Sequence, residues 1–197
     1  MKKGQNLNHP KKGSRIAVEP IRELKDINLI KKVLADNPLQ SALFILGVNT
    51  NLRASDLLAI RAGQVRGLKA MDEISLKEKK TGTDRRVSLN KACVEAVTRL
   101  LAAKPYQDDD YLFTGQRGQL TVPYINYLVK TWCREIKLRG NYGAHTLRKT
   151  WGYVQRVHFG VGLPEIMTVY GHATQKQTLT YLCVQPDEVK SVYANII

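Results

Sequence analysis

Apolar residues along this chain recur mostly with the period of helices, and only briefly with that of strands. From Ile21 to Leu34 the stretch IRELKDINLIKKVL sets Leu24, Ile27, Ile30 and Leu34 on one face of an amphipathic helix. Pro38 opens PLQSALFILGV, which is apolar on every side and long enough to cross a core. Asn49, Thr50 and Asn51 read as a turn, since Asn tolerates left-handed backbone. LRASDLLAIRAG then reads as a short helix with Leu57, Leu58 and Ile60 turned inward and Gly63 ending it. The period changes at DEISLKEKKTGTDRRVSL, which alternates on both sides of KTGTD and predicts a two-stranded hairpin.

Beyond the hairpin, Asn90 caps a helix running to Ala103, with Cys93, Val94, Val97, Leu100 and Leu101 on its buried face. Residues 105–118 read as loop, with a short aromatic strand at 111–113. Val122 to Leu138 is a further helix carrying Tyr124, Tyr127, Leu128 and Trp132. Another helix opens after Gly143. Pro164 and Gly171 suit the first turn and the C-terminal cap of a short helix, and Thr174 with Gln177 forms a capping-box pattern for the next. The expected fold class is therefore mainly α with a small antiparallel β-sheet. Residues 1–17 are polar and basic and are broken by Gly4, Pro10 and Gly13. They read as a flexible basic arm, or simply an unstructured terminus, ahead of one domain over 18–197.

Charge narrows the partner. The chain has 197 residues, 43% of them hydrophobic, which fits a globular protein with a sizeable core. Its 31 Lys+Arg against 17 Asp+Glu leave a net charge of +14 that points to a polyanion. The basic residues are spread through the chain, which favours nucleic acid over a membrane surface. No apolar run approaches the ~20 residues of a membrane span, and the N-terminus has no apolar segment of a secretory signal. Cys93, Cys133 and Cys183 are far apart with no CxxC pair, which suits free thiols in the cytoplasm and excludes a cysteine zinc site. Neither GxxxxGK[ST] nor GxGxxG occurs, so a nucleotide-driven enzyme is disfavoured.

Several residues have phosphate chemistry written into their type and spacing. His145 and Arg148, three apart on one helix, share a face where a guanidinium can grip two oxygens and an imidazole can move a proton. His172 follows the cap at Gly171, and Tyr181 lies on the separately capped helix beyond it. A phenol attacking phosphorus needs cations around it, because its pKa is near ~10. Arg53 stands at the start of its helix, where it and the helix end can face a phosphate, and Asp56 can orient it. Lys80 at the hairpin tip can protonate a leaving oxygen, with Lys77, Lys79, Arg85 and Arg86 as competitors. Each residue also has a plain reading: a DNA-backbone contact for the basic hairpin, helix stabilisation for Asp56, core packing for Tyr181.

Taken together, four stretches resemble the catalytic domain of the tyrosine recombinase (phage integrase) family: TNLRASDLLAI, KKTGTDRRV, HTLRK and GHATQKQTLTY, in that family's order and covering about residues 20–195. The resemblance implies a DNA breaking–rejoining fold and these roles. Tyr181 attacks the scissile phosphodiester to give a 3′-phosphotyrosine and a free 5′-hydroxyl. Arg53 and Arg148 hold the non-bridging oxygens. Lys80 protonates the leaving 5′-oxygen, while His145 and His172 assist proton transfer. It further implies double-stranded DNA as partner, a homo-tetramer on synapsed duplexes, and no cofactor or metal. Departures are Tyr170 where the box usually has Leu, Asn51 for the usual Gly, and Leu182-Cys183 after the tyrosine. A separate N-terminal core-binding domain is not found in the sequence, which resembles either an excised catalytic fragment or the short fimbrial-switch invertases. The competing readings are a non-catalytic DNA-binding regulator on the same fold and a type IB topoisomerase.

Overall fold

The computed structural model describes residues 17–80, 82–183, 190–194 and 196. The arm expected over residues 1–17 lies outside the described residues except for Ala17. The chain forms helices α1 (Leu24–Val33), α2 (Pro38–Asn49), α3 (Ala54–Leu57) and α4 (Ala62–Val65), then strands β1 (Glu73–Lys77) and β2 (Asp84–Ser88). Helix α5 (Lys91–Ala103) precedes the two-residue strands β3 (Thr114–Gly115) and β4 (Gly118–Gln119). The rest is helical: α6 (Val122–Glu135), α7 (Ala144–Val157), α8 (Leu163–Tyr170) and α9 (Gln175–Leu182), with a 3-10 turn at Ser191–Ala194. The expected class, mainly α with small antiparallel sheets, is the one observed. Among the described residues no helix is long and apolar enough to cross a membrane.

Helix α2 is apolar on every side, and it is buried accordingly, with Ala42, Leu43, Phe44 and Leu46 fully enclosed between α5 and α7. Asn37 caps its start by accepting from Gln40 N at 3.0 Å, and Asn90 caps α5 by accepting from Cys93 N at 3.0 Å. Strands β1 and β2 pair antiparallel from Glu73–Ser88 to Lys77–Asp84, with Ile74, Leu76 and Val87 turned to the core. A second, smaller cluster of Ile166, Tyr170 and Leu182 joins α8 and α9 to α7. The elements that carry the candidate chemistry thus have a core of their own.

Local readings needed correction in four places. Leu24 begins α1 and stays exposed, and Ile21 fills the core from the extended lead-in instead. LRASDLLAIRAG is two short helices, because Ile60 to Gly63 is drawn into contact with the 108–112 loop: Leu112 N donates to Ile60 O at 2.8 Å. Gly63 accordingly lies inside α4. The 111–113 strand does not form. Leu112 and Phe113 are both fully buried, which a strand with alternating faces cannot achieve here, and Tyr111 makes only an isolated bridge to Arg61. Finally, α6 stops at Glu135, where Lys137 turns left-handed (φ 57°), and Tyr124 and Tyr127 stack outward on each other while Leu128 and Trp132 face in.

Asn51 takes the left-handed backbone expected of it (φ 54°) and is fully buried. Its side chain donates to Val169 O at 3.0 Å, tying the turn after α2 to the end of α8. Glycine can adopt this backbone at no steric cost, whereas an alanine is strained by about 1–2 kcal/mol. Chemical denaturation should therefore rank the variants Asn51→Gly above Asn51→Ala, with the latter weaker by that margin. Equal stability of the two would contradict the role given to this backbone.

Candidate active site

The carboxyl end of α8 gathers the site. A helix leaves its last carbonyls unsatisfied and partly negative. Here Gly171, left-handed at φ 66°, lets the chain reverse: its N–H donates to Thr168 O at 3.0 Å and that of His172 to Met167 O at 3.1 Å, a Schellman closure. The two carbonyls left over draw donors from distant elements. Val169 O accepts from Asn51 Nδ2 (3.0 Å) and from Arg85 Nη2 on β2 (3.1 Å). Tyr170 O accepts from Arg148 Nη2 on α7 at 2.9 Å.

Arg148 is almost wholly enclosed, with 2% of its surface exposed. Its Nη1 donates to Asn51 O at 2.8 Å, again a main-chain carbonyl. Two of the five donors of a guanidinium are so used, and among the described residues no carboxylate pairs with it. Burial, and then the nearby charge of Arg53, bring its pKa down to about 10. It stays charged at neutral pH.

Arg53 flanks it as the residue before α3. It bonds Glu78 Oε2 at 2.6 Å, with Asp56 Oδ2 farther away at 3.8 Å. Buried Glu78 also takes Arg85 Nη1 at 3.0 Å, and Asp56 accepts from Lys79 N at 3.0 Å, which fixes the hairpin turn against α3. Lys80 is exposed in that turn, close enough for its charge to act on His145. A recess of about 430 Å³ between the hairpin and α8 is lined by Arg53, Glu78, Arg85, Arg86, Tyr170 and Gly171, among others.

His145, in the first turn of α7, keeps an exposed edge. Its pKa is lowered by partial burial first, then by Arg148, Lys149, Arg53 and Lys80. Tyr181 Oη lies 3.2 Å from His145 Nδ1, so the tyrosine of α9 is docked against the His–Arg helix of its own chain. His172 is held by Thr178 Oγ1 at 3.1 Å from Nδ1, and its pKa is pushed down to about 4 by burial, then by Arg148 and Arg53. Both imidazoles are therefore neutral near pH 7 and able to exchange a proton.

Five of the six residues singled out in the sequence are thus linked by hydrogen bonds, ring contacts or mutual charge effects, and Lys80 reaches the group through the charge it exerts on His145. Sequence reasoning missed Glu78 as the anion on Arg53, and it missed Lys149. The buried Lys149 ammonium donates to Val18 O (2.9 Å) and Cys183 Sγ (3.2 Å) and lies 5.4 Å from the Tyr181 ring centroid. The adjacent Lys of HTLRK was a visible signal; Glu78 had only its inward register beside Leu76.

The Phage integrase family model matches residues 22–188 of the chain. The chain is 28% identical over 180 residues to the probable integrase/recombinase YoeC of Bacillus subtilis, covering 89% of this chain and 95% of that protein. It is 27% identical over 170 residues to the tyrosine recombinase XerC of Caldanaerobacter subterraneus subsp. tengcongensis, covering 81% of this chain but 47% of that one. Among solved structures it resembles the XerA recombinase, with a TM-score of 0.74 at 17% identity, covering 93% of this chain and 66% of that one. It also resembles the XerH site-specific recombinase bound to palindromic difH substrate, with a TM-score of 0.72 at 20% identity, covering 92% and 53%. At these identities the two structures are alike in fold.

The lowered histidine values have a consequence for stability. Between about pH 4 and about pH 6.5, the ordinary histidine value, the unfolded chain binds more protons at His172 than the folded one. Stability from this group is fully present above that window and is lost as pH falls through it. Denaturation midpoints of the native protein should drop from about pH 7 to about pH 4.5, and by less in His172→Asn. An equal drop in both proteins would contradict the shift.

Proposed function

The chain belongs to the phage integrase family, and on that premise we propose that it is a tyrosine-type site-specific recombinase that breaks and rejoins DNA strands through Tyr181. The observation that carries this reading is the hydrogen-bond contact of Tyr181 Oη with His145 Nδ1, beside a buried Arg148 that lacks a carboxylate partner among the described residues. A scissile phosphodiester supplies the anion that Arg148 lacks.

In the proposed reaction Arg53 and Arg148 hold the non-bridging oxygens. Tyr181 Oη passes its proton to neutral His145 and bonds to phosphorus. The P–O5′ bond breaks, and the departing oxygen takes a proton from Lys80. His172 Nδ1 lies 3.1 Å from Thr178 Oγ1, and in the tautomer that carries its proton on Nε2 the ring presents that N–H to a phosphate oxygen. The 3′-phosphotyrosine keeps the bond energy, so a 5′-hydroxyl can reverse every step on the same or another strand. Residues 18–197 are proposed as the catalytic domain, residues 1–17 as a basic arm, double-stranded DNA as the partner, and a homo-tetramer in the cytoplasm as the working assembly. The net charge of +14 supports a DNA partner.

A duplex nicked near the scissile phosphate traps the intermediate by letting the 5′ fragment diffuse away. The native protein should form a covalent adduct, Tyr181→Phe none, and Lys80→Ala little unless the leaving group is a 5′-thiol, which needs no proton. Binding without an adduct by the native protein would leave only a DNA-binding role. Relaxation of plasmids without any recombination site would favour a topoisomerase.

A further inference from the structure

Tyr170 stands where the family's box usually has leucine, and its buried ring meets Trp151, His172, Tyr181 and Arg148. The His172 ring stacks on it at 4.7 Å with 5° between planes. The Tyr181 ring meets it edge-on at 5.2 Å, and Trp151 closes another side at 5.3 Å. The Arg148 guanidinium carbon lies 5.1 Å from its centroid. Its hydroxyl donates back to Arg148 O at 2.9 Å, and the ring is 1% exposed.

The partner helix is shaped for it. Gly152, inside α7, is where a Cβ would collide with the Tyr170 hydroxyl. Glycine weakens a helix interior, so a position that accepts it here makes room for a ring that a leucine would not need. Aromatic rings prefer stacked and edge-on contacts, and a cation near a ring face is attracted to it. A leucine has neither a flat face for His172 nor a π-system for Arg148.

We propose that Tyr170 is a positioning residue that sets the relative placement of Arg148, His172 and Tyr181, so that the nucleophile meets the phosphate clamp around one aromatic ring. The inference rests on the recombinase reading of these three residues. Misplacement of reacting groups by about 1 Å costs on the order of 100-fold in rate, and substrate binding through the backbone phosphates is left to the other cations.

The test uses the full chain and the nicked duplex, comparing native protein with Tyr170→Leu and Tyr170→Phe. At saturating protein, Tyr170→Leu should form adduct about 10- to 100-fold more slowly, with its dissociation constant for the same DNA changed less than about 3-fold. Tyr170→Phe keeps the ring and should recover most of the rate. His172 followed by NMR should titrate nearer the ordinary histidine value of about 6.5 in Tyr170→Leu, since the ring that shelters it is gone while Arg148, Arg53 and Tyr181 still face it. In Tyr170→Phe it should stay low. If Tyr170→Leu does not fold, Tyr170→Met, apolar and of similar bulk without a ring, carries the same readings. A native-like rate in the ringless variant, equal losses in rate and affinity, or a Phe variant as slow as the Leu variant would each overturn the proposal. No adduct from the native protein would instead sink the recombinase reading itself.

Discussion

Arg148 is a buried cation bonded to two main-chain carbonyls, Asn51 O and Tyr170 O, and the rest of the site follows from how that cation is held. Burying a charge is costly unless it is paired and hydrogen-bonded. A carboxylate would pair it permanently and close it to substrate. Carbonyl dipoles at a helix C-terminus satisfy its hydrogen bonds and favour the positive charge while leaving the net charge uncompensated. That requirement explains why the turn after α2 and the end of α8 must meet. Each supplies one of the two carbonyls, and the Asn51 side chain locks them together through Val169 O.

The same uncompensated charge sets the state of its neighbours. It contributes, after burial, to keeping both His145 and His172 neutral, which a proton acceptor beside a phenol needs to be. Arg53 is treated differently: Glu78 binds it directly and shares its other oxygen with Arg85. The two arginines of the proposed clamp are therefore not equivalent. One is held by dipoles and one by an acid, and the hairpin carrying Lys80 is fastened to the second. Tyr181 completes the arrangement from a helix whose end is tied by Arg22 Nη2 and Lys149 to Cys183.

What was legible in the sequence was local chemistry. The caps at Asn90, Thr174 and Gly171 depend on residues one to four positions apart, and each formed, Thr174 by accepting from Gln177 N. The boxes around Arg53, Lys80, His145, Arg148, His172 and Tyr181 were legible because their residue types and order are themselves the signal. Contacts across more than a hundred positions were not. Nothing near Asn51 announces that its carbonyl serves Arg148, and nothing near Leu112 announces that it will bend Ile60 out of a helix. Tyr170 was visible as a departure, but a tyrosine within an apolar helix reads as packing until the rings around it are known. Glu78 had only an inward register and Lys149 only its place beside Arg148 to mark it in sequence, and burial is what sets both apart in the fold.

The central claim is that nucleophile and clamp belong to one chain, with Tyr181 docked on its own His145. Mixing Tyr181→Phe with Arg148→Ala on the nicked duplex tests it most directly. Neither protein holds both groups, so attack within one chain predicts no covalent adduct from the mixture, under conditions where native protein gives one. Adduct recovered on mixing, carried by the Arg148→Ala chain, would mean that the tyrosine is delivered to a partner's clamp, and would contradict the account.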